Sequence, residues 1–295
     1  MKVPHLVQYQ GSKRNLAPEI LKYMPKHFNR LVEPFSGTAA ITMACASKKI
    51  AEEYIINDLN KPLIDLFKIV IEQPEFSSKR YDEIWDEQHS NSIEHYYQTR
   101  EKFNLTKDPL MFLYLLARCA KGAVRYNSDG LFNQSPDKRR KGTNPQIMTR
   151  NIFDVSVLLK NKSKLYSLDY KTLLEMAMPE DIIYMDPPYQ GVCGERDSRY
   201  FSGIDHNEFV LELEKLIKRG ISFIVSYDGK CGNKAYGKEI PIDMGLEHIH
   251  LNAGRSSQAT LLGKDSITFE SLYITKDLLK NKESAPKWRI NNELF

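Results

Sequence analysis

The chain predicts an α/β fold, a doubly wound and mostly parallel sheet carrying a mainly helical insertion. A strand–turn–helix–strand unit opens it, from Arg30 to Asp58. An aromatic-rich helical stretch from about Pro62 to Leu116 then interrupts the rhythm, and strand and helix patterns return from Lys164 onward. The expected division is one domain built from residues 1–61 and 156–295, split by an insertion at 62–155. A length of 295 residues suits one large α/β domain with such an insertion.

The elements follow in order. Arg30 to Pro34 (RLVEP) reads as the first strand, Phe35 to Thr38 as a small-residue turn, and AAITMACASKK as a helix. Glu53 to Asp58 (EYIIND) is a second strand ending in an acid. DLFKIVIEQ, YDEIWDEQ and PLMFLYLLARC have helical periodicity, and the aromatic residues of MFLYLL read as helix core. Lys121 to Asn144 is polar, punctuated by Gly, Asn and Pro, and lacks that periodicity. Further strands are expected at Lys164 to Ser167, Asp181 to Met185 and Ser222 to Ser226, with a helix from His206 to Arg219 stopped by Gly220. HIHLNAG and ESLYIT alternate like an antiparallel hairpin at a sheet edge.

Composition narrows the function classes. The chain is 41% hydrophobic and 27% charged, an ordinary globular balance. No stretch approaches the roughly 20 apolar residues of a membrane span, and Met1 to Gln10 lacks a signal-peptide layout. Cys45, Cys119, Cys193 and Cys231 form no CxxC pair, which argues against a disulfide scaffold or a zinc module. His248 and His250 share a strand face but have no third ligand nearby in sequence. The expectation is a cytoplasmic, reduced, metal-free protein. Charge is uneven: Arg118 to Arg150 carries a net +6, while the other 262 residues sum to −2. Such a concentration is the footprint of a polyanion partner, although a solvated loop has the same composition.

The sharpest motif is Asp186-Pro187-Pro188-Tyr189, directly after the apolar strand IIYM. By composition it should arise by chance in about one chain in a thousand of this size. It sits where open α/β sheets place ligands, at the carboxyl end of a strand. An exocyclic amino group on a base is a poor nucleophile, because its lone pair is delocalised into the ring. A carboxylate at Asp186 and the backbone carbonyl of Pro187 can accept both N–H groups and localise that lone pair. Tyr189 supplies a flat surface for a base taken out of its stack. The same string also suits a proline-stiffened strand exit.

A second motif is the turn FSGTAA after the first strand. Gly37 lets the backbone approach a ligand, and Asp58, 21 residues on, suits a ribose hydroxyl or a strand-end cap. That spacing also fits a nicotinamide dinucleotide, but the single glycine gives no pyrophosphate cradle. A cofactor without phosphates fits better.

With these motifs the chain resembles the D12-class, Dam-like adenine-specific DNA methyltransferases. Tyr9-Gln10-Gly11-Ser12-Lys13 is similar to that family's opening motif, Glu33-Pro34-Phe35-Ser36-Gly37-Thr38-Ala39 to its cofactor loop, and Asn57-Asp58-Leu59-Asn60 to its NDxN motif. Ser167-Leu168-Asp169-Tyr170 falls where the family has another acidic cofactor contact, and Arg125 to Asn133 resembles its RYNxxGxFN recognition stretch. Ala39 stands where a second loop glycine is often found. The matches run in order from about residue 8 to 275.

The resemblance implies a methyltransferase-type sheet and transfer of a methyl group from S-adenosylmethionine to N6 of a flipped adenine in double-stranded DNA. It implies Asp186, Pro187 and Tyr189 as catalytic residues. Tyr9, Gly11, Lys13, Pro34, Phe35, Gly37, Asp58, Asp169 and Asp186 would hold the cofactor. Arg125, Asn127, Asn133, Lys138, Arg139, Arg140 and Lys141 would meet DNA, with no metal. The expected setting is a restriction-modification or phage/host modification system, with a monomer beside a cognate restriction endonuclease. N4-cytosine methylation is the nearer alternative, though such enzymes usually carry serine in place of Asp186. A non-catalytic nucleic-acid-binding module is the more distant one, and intact Lys13, Asp58 and DPPY speak against it. No cysteine follows a proline, which disfavours cytosine C5 chemistry. Ala120 to Ala123 depart from the Dam-type pattern, so GATC specificity is not implied. Glu195 to Gly203 form a charged loop that could close over the site.

Overall fold

A computed structural model of the chain describes residues 2–9, 11–89, 91–188, 204–231, 234–236, 238–255 and 267–283. Its centre is a mixed sheet of β1 (Phe28–Glu33), β2 (Ala51–Asn57), β3 (Ser163–Tyr166), β4 (Asp181–Met185), β5 (Ser222–Cys231), β6 (Lys234–Tyr236), β7 (Glu247–Arg255) and β8 (Ile267–Ile274). The strand order is β3-β2-β1-β4-β5-β8-β7, with β6 paired to β5. The first five strands on this path are parallel, and β8 runs antiparallel to both of its neighbours, β5 and β7. Order reverses between β1 and β4, and a crevice opens at such a switch point beyond the strands' carboxyl ends.

The strand sequences account for the sheet. DIIYM of β4 is buried throughout, as a central parallel strand covered on both faces must be. Alternate residues enter two separate cores: Leu31, Ile182, Tyr184 and Ile224 join one, Val32, Ile183, Met185 and Val225 the other. Arg30 on β1 makes a two-pronged pair with the buried Asp181 on β4, both hydrogen bonds 2.8 Å long. Strand β5 runs past the expected end at Ser226, because a register shift between Ser226 and Gly229 lets it keep pairing with β8. Gly229 is required there: a Cβ would sit 2.7 Å from the Phe269 carbonyl oxygen.

Helices α1 (Ala17–Ile20) and α2 (Ala40–Lys48) precede a helical block of α3 (Lys61–Glu72), α4 (Pro74–Asp86), α5 (Ser92–Thr106), α6 (Pro109–Arg118) and α7 (Pro145–Leu159). Proline opens α3, α4, α6 and α7, where its missing N–H costs nothing. Asn91, Asp108 and Asn144 cap α5, α6 and α7 with side-chain oxygens. Helix α7 was not among the expected elements, although Met148, Ile152, Val155 and Leu159 all lie on its buried side. Its block is not separate from the sheet, since one buried cluster runs from Leu31 and Ile56 to Phe112, Phe132 and Ile152. Helices α8 (Tyr170–Glu175) and α9 (His206–Lys218) cover the opposite face, and α10 (Lys276–Glu283) follows β8. No helix among the described residues is long and apolar enough to cross a membrane.

Candidate active site

The turn after β1 is built by its neighbours. Gly37 has φ +48°, and the Ala39 that stands in a glycine's place also takes the left-handed region, at φ 51°. Asp58 fixes this turn. Its Oδ2 accepts from Gly37 N and its Oδ1 from Asn60 N, each at 2.9 Å. It is therefore a strand-end cap, and it also edges the cavity. Burial raises its pKa against the pull of those two N–H groups. Buried Asn57 ties three segments together, donating to the Pro34 and Leu168 carbonyls and accepting from Leu168 N.

Across the switch point, Asp186 leaves the end of β4. The Lys13 ammonium lies 2.9 Å from Asp186 Oδ1 and 3.1 Å from Glu270 Oε2 of β8. Burial raises Asp186 to about 6, Lys13 opposes the rise, and Glu270 adds to it. Glu33, at the end of β1, is fully buried and accepts from Thr42 N in the first turn of α2 at 2.8 Å. Desolvation raises it to about 7.

These groups surround one cavity of about 340 Å³. It gathers Tyr9, Gly11 and Lys13 from the N-terminal turn and Pro34, Phe35 and Gly37 from the loop after β1. Asp58, Asp169, Asp186 and Pro187 complete the set expected from sequence, apart from Tyr189. Tyr189 and residues 195–203, expected as a closing loop, lie outside the described residues. Asp169 also caps α8 by accepting from Lys171 N. Phe35 packs at 5.1 Å on Tyr170, which lines the cavity too.

The segment after α6 approaches this cavity from the helical block. Tyr126 and Phe132 bridge a short antiparallel turn, and Phe132 meets the stacked Phe103–Phe112 pair edge-on. Tyr126 lines the cavity and donates to Asn60 Oδ1 at 3.0 Å. Arg125 beside it is exposed and makes no ion pair with any described residue, Asp129 included. Asn127 holds the turn, its Oδ1 accepting from Asp129 N and Leu131 N. Asn133, Lys138, Arg139, Arg140 and Lys141 are exposed and outside the cavity.

The family model for the D12 class N6 adenine-specific DNA methyltransferases matches residues 9–256, and so takes in both walls of the cavity. The chain belongs to that family. It is 31% identical over 275 residues to the Type II methyltransferase M1.LlaDCHI of Lactococcus lactis subsp. cremoris, covering 87% of this chain and 91% of the relative. It is 30% identical over 245 residues to a DNA adenine methylase of Haemophilus influenzae, covering 78% and 82% respectively. With the Type II methyltransferase M.MjaIII of Methanocaldococcus jannaschii it shares 29% over 249 residues, covering 77% and 84%.

Sequence reasoning missed several residues of this D12-class methyltransferase. Glu270 carries no motif, and only the pairing of β8 with β5 brings it to Lys13. Asn60 belongs to the NDxN stretch, whose sequence gives it no role of its own. Arg118 belongs to the basic window, yet it is buried at 2% exposure. Its guanidinium holds the Asp137 and Arg140 carbonyls and Gln88 Oε1. Arg140 in turn pairs with Asp137 at 2.8 Å. The outward positive charge of the segment is therefore smaller than its composition. His248 stacks on Tyr273, and no group of three metal-binding side chains occurs among the described residues.

Proposed function

We propose that the chain transfers a methyl group from S-adenosylmethionine to N6 of an adenine flipped out of double-stranded DNA. The observation that carries this reading is Asp186, held through Oδ1 by Lys13 at the switch point. Its Oδ2 has no hydrogen-bond partner among the described residues.

The cavity's charge supports this donor over a dinucleotide. Six carboxylates line it (Glu33, Asp58, Asp169, Asp186, Asp205 and Glu208) against two ammonium groups, Lys13 and Lys171. Both ammonium groups are already paired, Lys171 with Glu208 at 2.6 Å. A phosphate-bearing ligand would be repelled, whereas a cationic, phosphate-free one is attracted. Gly11 and Gly37 leave bare backbone at the cavity wall, since a Cβ on either would meet nothing within 4 Å. Asp58 and Asp169 would take the donor's hydroxyl and amino groups, and Phe35 and Tyr170 its flat ring. The sequence motif put Lys13 on the donor, but its two carboxylate partners favour a role in holding Asp186.

When bound, S-adenosylmethionine supplies an electrophilic methyl group. The protein's part is to receive and orient the amine. Asp186 Oδ2 accepts one N6–H and the Pro187 carbonyl the other, which localises the nitrogen lone pair along the line of attack. The proton left on nitrogen is acidic once the new bond forms and needs no strong base. Catalysis on this reading is chiefly positioning.

The helical block and the segment after it, within residues 62–155, would recognise the target, with residues 1–61 and 156–295 carrying the chemistry. Exposed Arg125, Lys138, Arg139 and Lys141 support that division. The Type II names of two relatives support a modification role, and to this we add a monomer acting beside a cognate restriction endonuclease. The test is labelled methyl transfer into duplex DNA by wild type and by Asp186→Asn. Wild-type transfer that the variant loses supports the reading; equal transfer by both refutes it.

A further inference from the structure

We propose that Glu270 is a positioning residue for methyl transfer, dividing the Lys13 ammonium between β8 and Asp186 so that Asp186 stays a strong acceptor. This rests on the functional reading above.

Lys13 is buried, its side chain 4% exposed, and both carboxylates lie within 3.1 Å of its nitrogen. Bound to Asp186 alone, the full ammonium charge would fall on the one carboxylate that must accept the substrate amine. An acceptor neutralised in this way gives weaker hydrogen bonds. Glu270 draws part of that charge away. It is held for the purpose: Ser226, fully buried on β5, donates its hydroxyl to the same Oε2 at 3.3 Å. The cluster of Lys13, Asp186 and Glu270 has a formal charge of −1 when both acids are ionised, which suits positive charge developing on the attacking nitrogen.

The other charged groups do not replace it. Glu33 lies near Asp186 at the end of β1, but burial raises it to about 7, so it is largely protonated while Asp186 titrates, and it is committed to the N-terminus of α2. Asp58, Asp169, Lys171, Asp205 and Glu208 line the same cavity, on the loops after β2 and β3 and on α8 and α9. Glu270 shares the Lys13 cation with Asp186, within 3.1 Å of the same nitrogen.

The test uses the full chain with Glu270→Gln, which keeps the shape and the Ser226 contact while removing the charge. Its kcat should fall by about tenfold or more, with KM for the methyl donor little changed. The acid limb of the pH–rate profile should move to lower pH, because a like charge beside Asp186 is gone. The carboxyl ¹³C titration of Asp186, assigned with Asp186→Asn, should move the same way without any turnover. Ser226→Ala should shift both in the same direction by less, and it decides the matter if Glu270→Gln fails to fold. Folded variants with an unmoved Asp186 titration would overturn the proposal, as would a raised donor KM at unchanged kcat. A wild-type protein that methylates no adenine would sink the functional reading instead, while the titration still reports on Glu270.

Discussion

The Tyr126 hydroxyl donates to Asn60 Oδ1 at 3.0 Å, joining the turn that carries Arg125 to the loop that carries Asp58. From Asn60 the connection continues, since its backbone N–H reaches Asp58 Oδ1 and Asp58 Oδ2 reaches Gly37 N. One hydrogen-bonded path therefore runs from the segment assigned to DNA to the loop assigned to the methyl donor.

Tyr126→Phe should cut that path while keeping the ring against Phe132. Loss of the bond should cost about 1 kcal/mol of stability, because Asn60 is left with a buried, unpartnered oxygen. Calorimetry of donor binding with and without cognate duplex checks the functional consequence. The wild-type chain should bind the donor more tightly on DNA, and the variant should lose most of that gain.

Turnover should fall as the pH drops through about 6, where Asp186 takes up a proton and can no longer accept the amine. The sign for stability is opposite. A carboxyl raised from 3.8 to about 6 holds its proton more tightly in the folded state, so its contribution to stability grows as pH falls across that window and is lost as pH rises through about 6. A pH–rate profile beside melting curves separates the two effects: activity should fade on the acid side before the fold does.

Asp58→Ala should weaken binding of S-adenosylmethionine by about tenfold or more, since it removes a charged acceptor and frees the Gly37 turn. Titration calorimetry reads this directly. Unchanged affinity would make Asp58 a cap alone.

Arg125→Ala should relax discrimination at one base pair by about 1–3 kcal/mol, as a guanidinium that reads guanine would. Neutralising Lys138, Arg139 and Lys141 should instead weaken binding to all duplexes alike and flatten its salt dependence. Methylation of single-mismatch duplexes by each variant checks both. An Arg125→Ala enzyme that loses activity equally on every site would make the residue structural.

Local chemistry made much of this legible in the sequence. The strand at Asp181 to Met185 was readable because burial on both faces leaves the apolar run IIYM, and the one at Arg30 to Pro34 because buried Leu31 and Val32 lead into the glycine turn. The loop motifs were readable because glycine and proline mark backbone that approaches a ligand. Long-range placement was not. The antiparallel pairing of HIHLNAG with ESLYIT was legible from their alternation, but nothing near Glu270 signals that β8 will also pair with β5 and bring it to Lys13. Arg118 looks like any basic residue until the loop carbonyls it holds are in place. Helix α7 went unread, although Asn144-Pro145 and the spacing of its apolar residues mark it, because the polar segment before it masks its start.

The most direct measurement is the identity of the modified base. The purified chain is incubated with duplex DNA and methyl-labelled S-adenosylmethionine, and the DNA is digested to nucleosides. Label in N6-methyldeoxyadenosine, absent with Asp186→Ala, is the expected result. Label in N4-methyldeoxycytidine, or undiminished label in adenine with Asp186→Ala, would contradict the central claim.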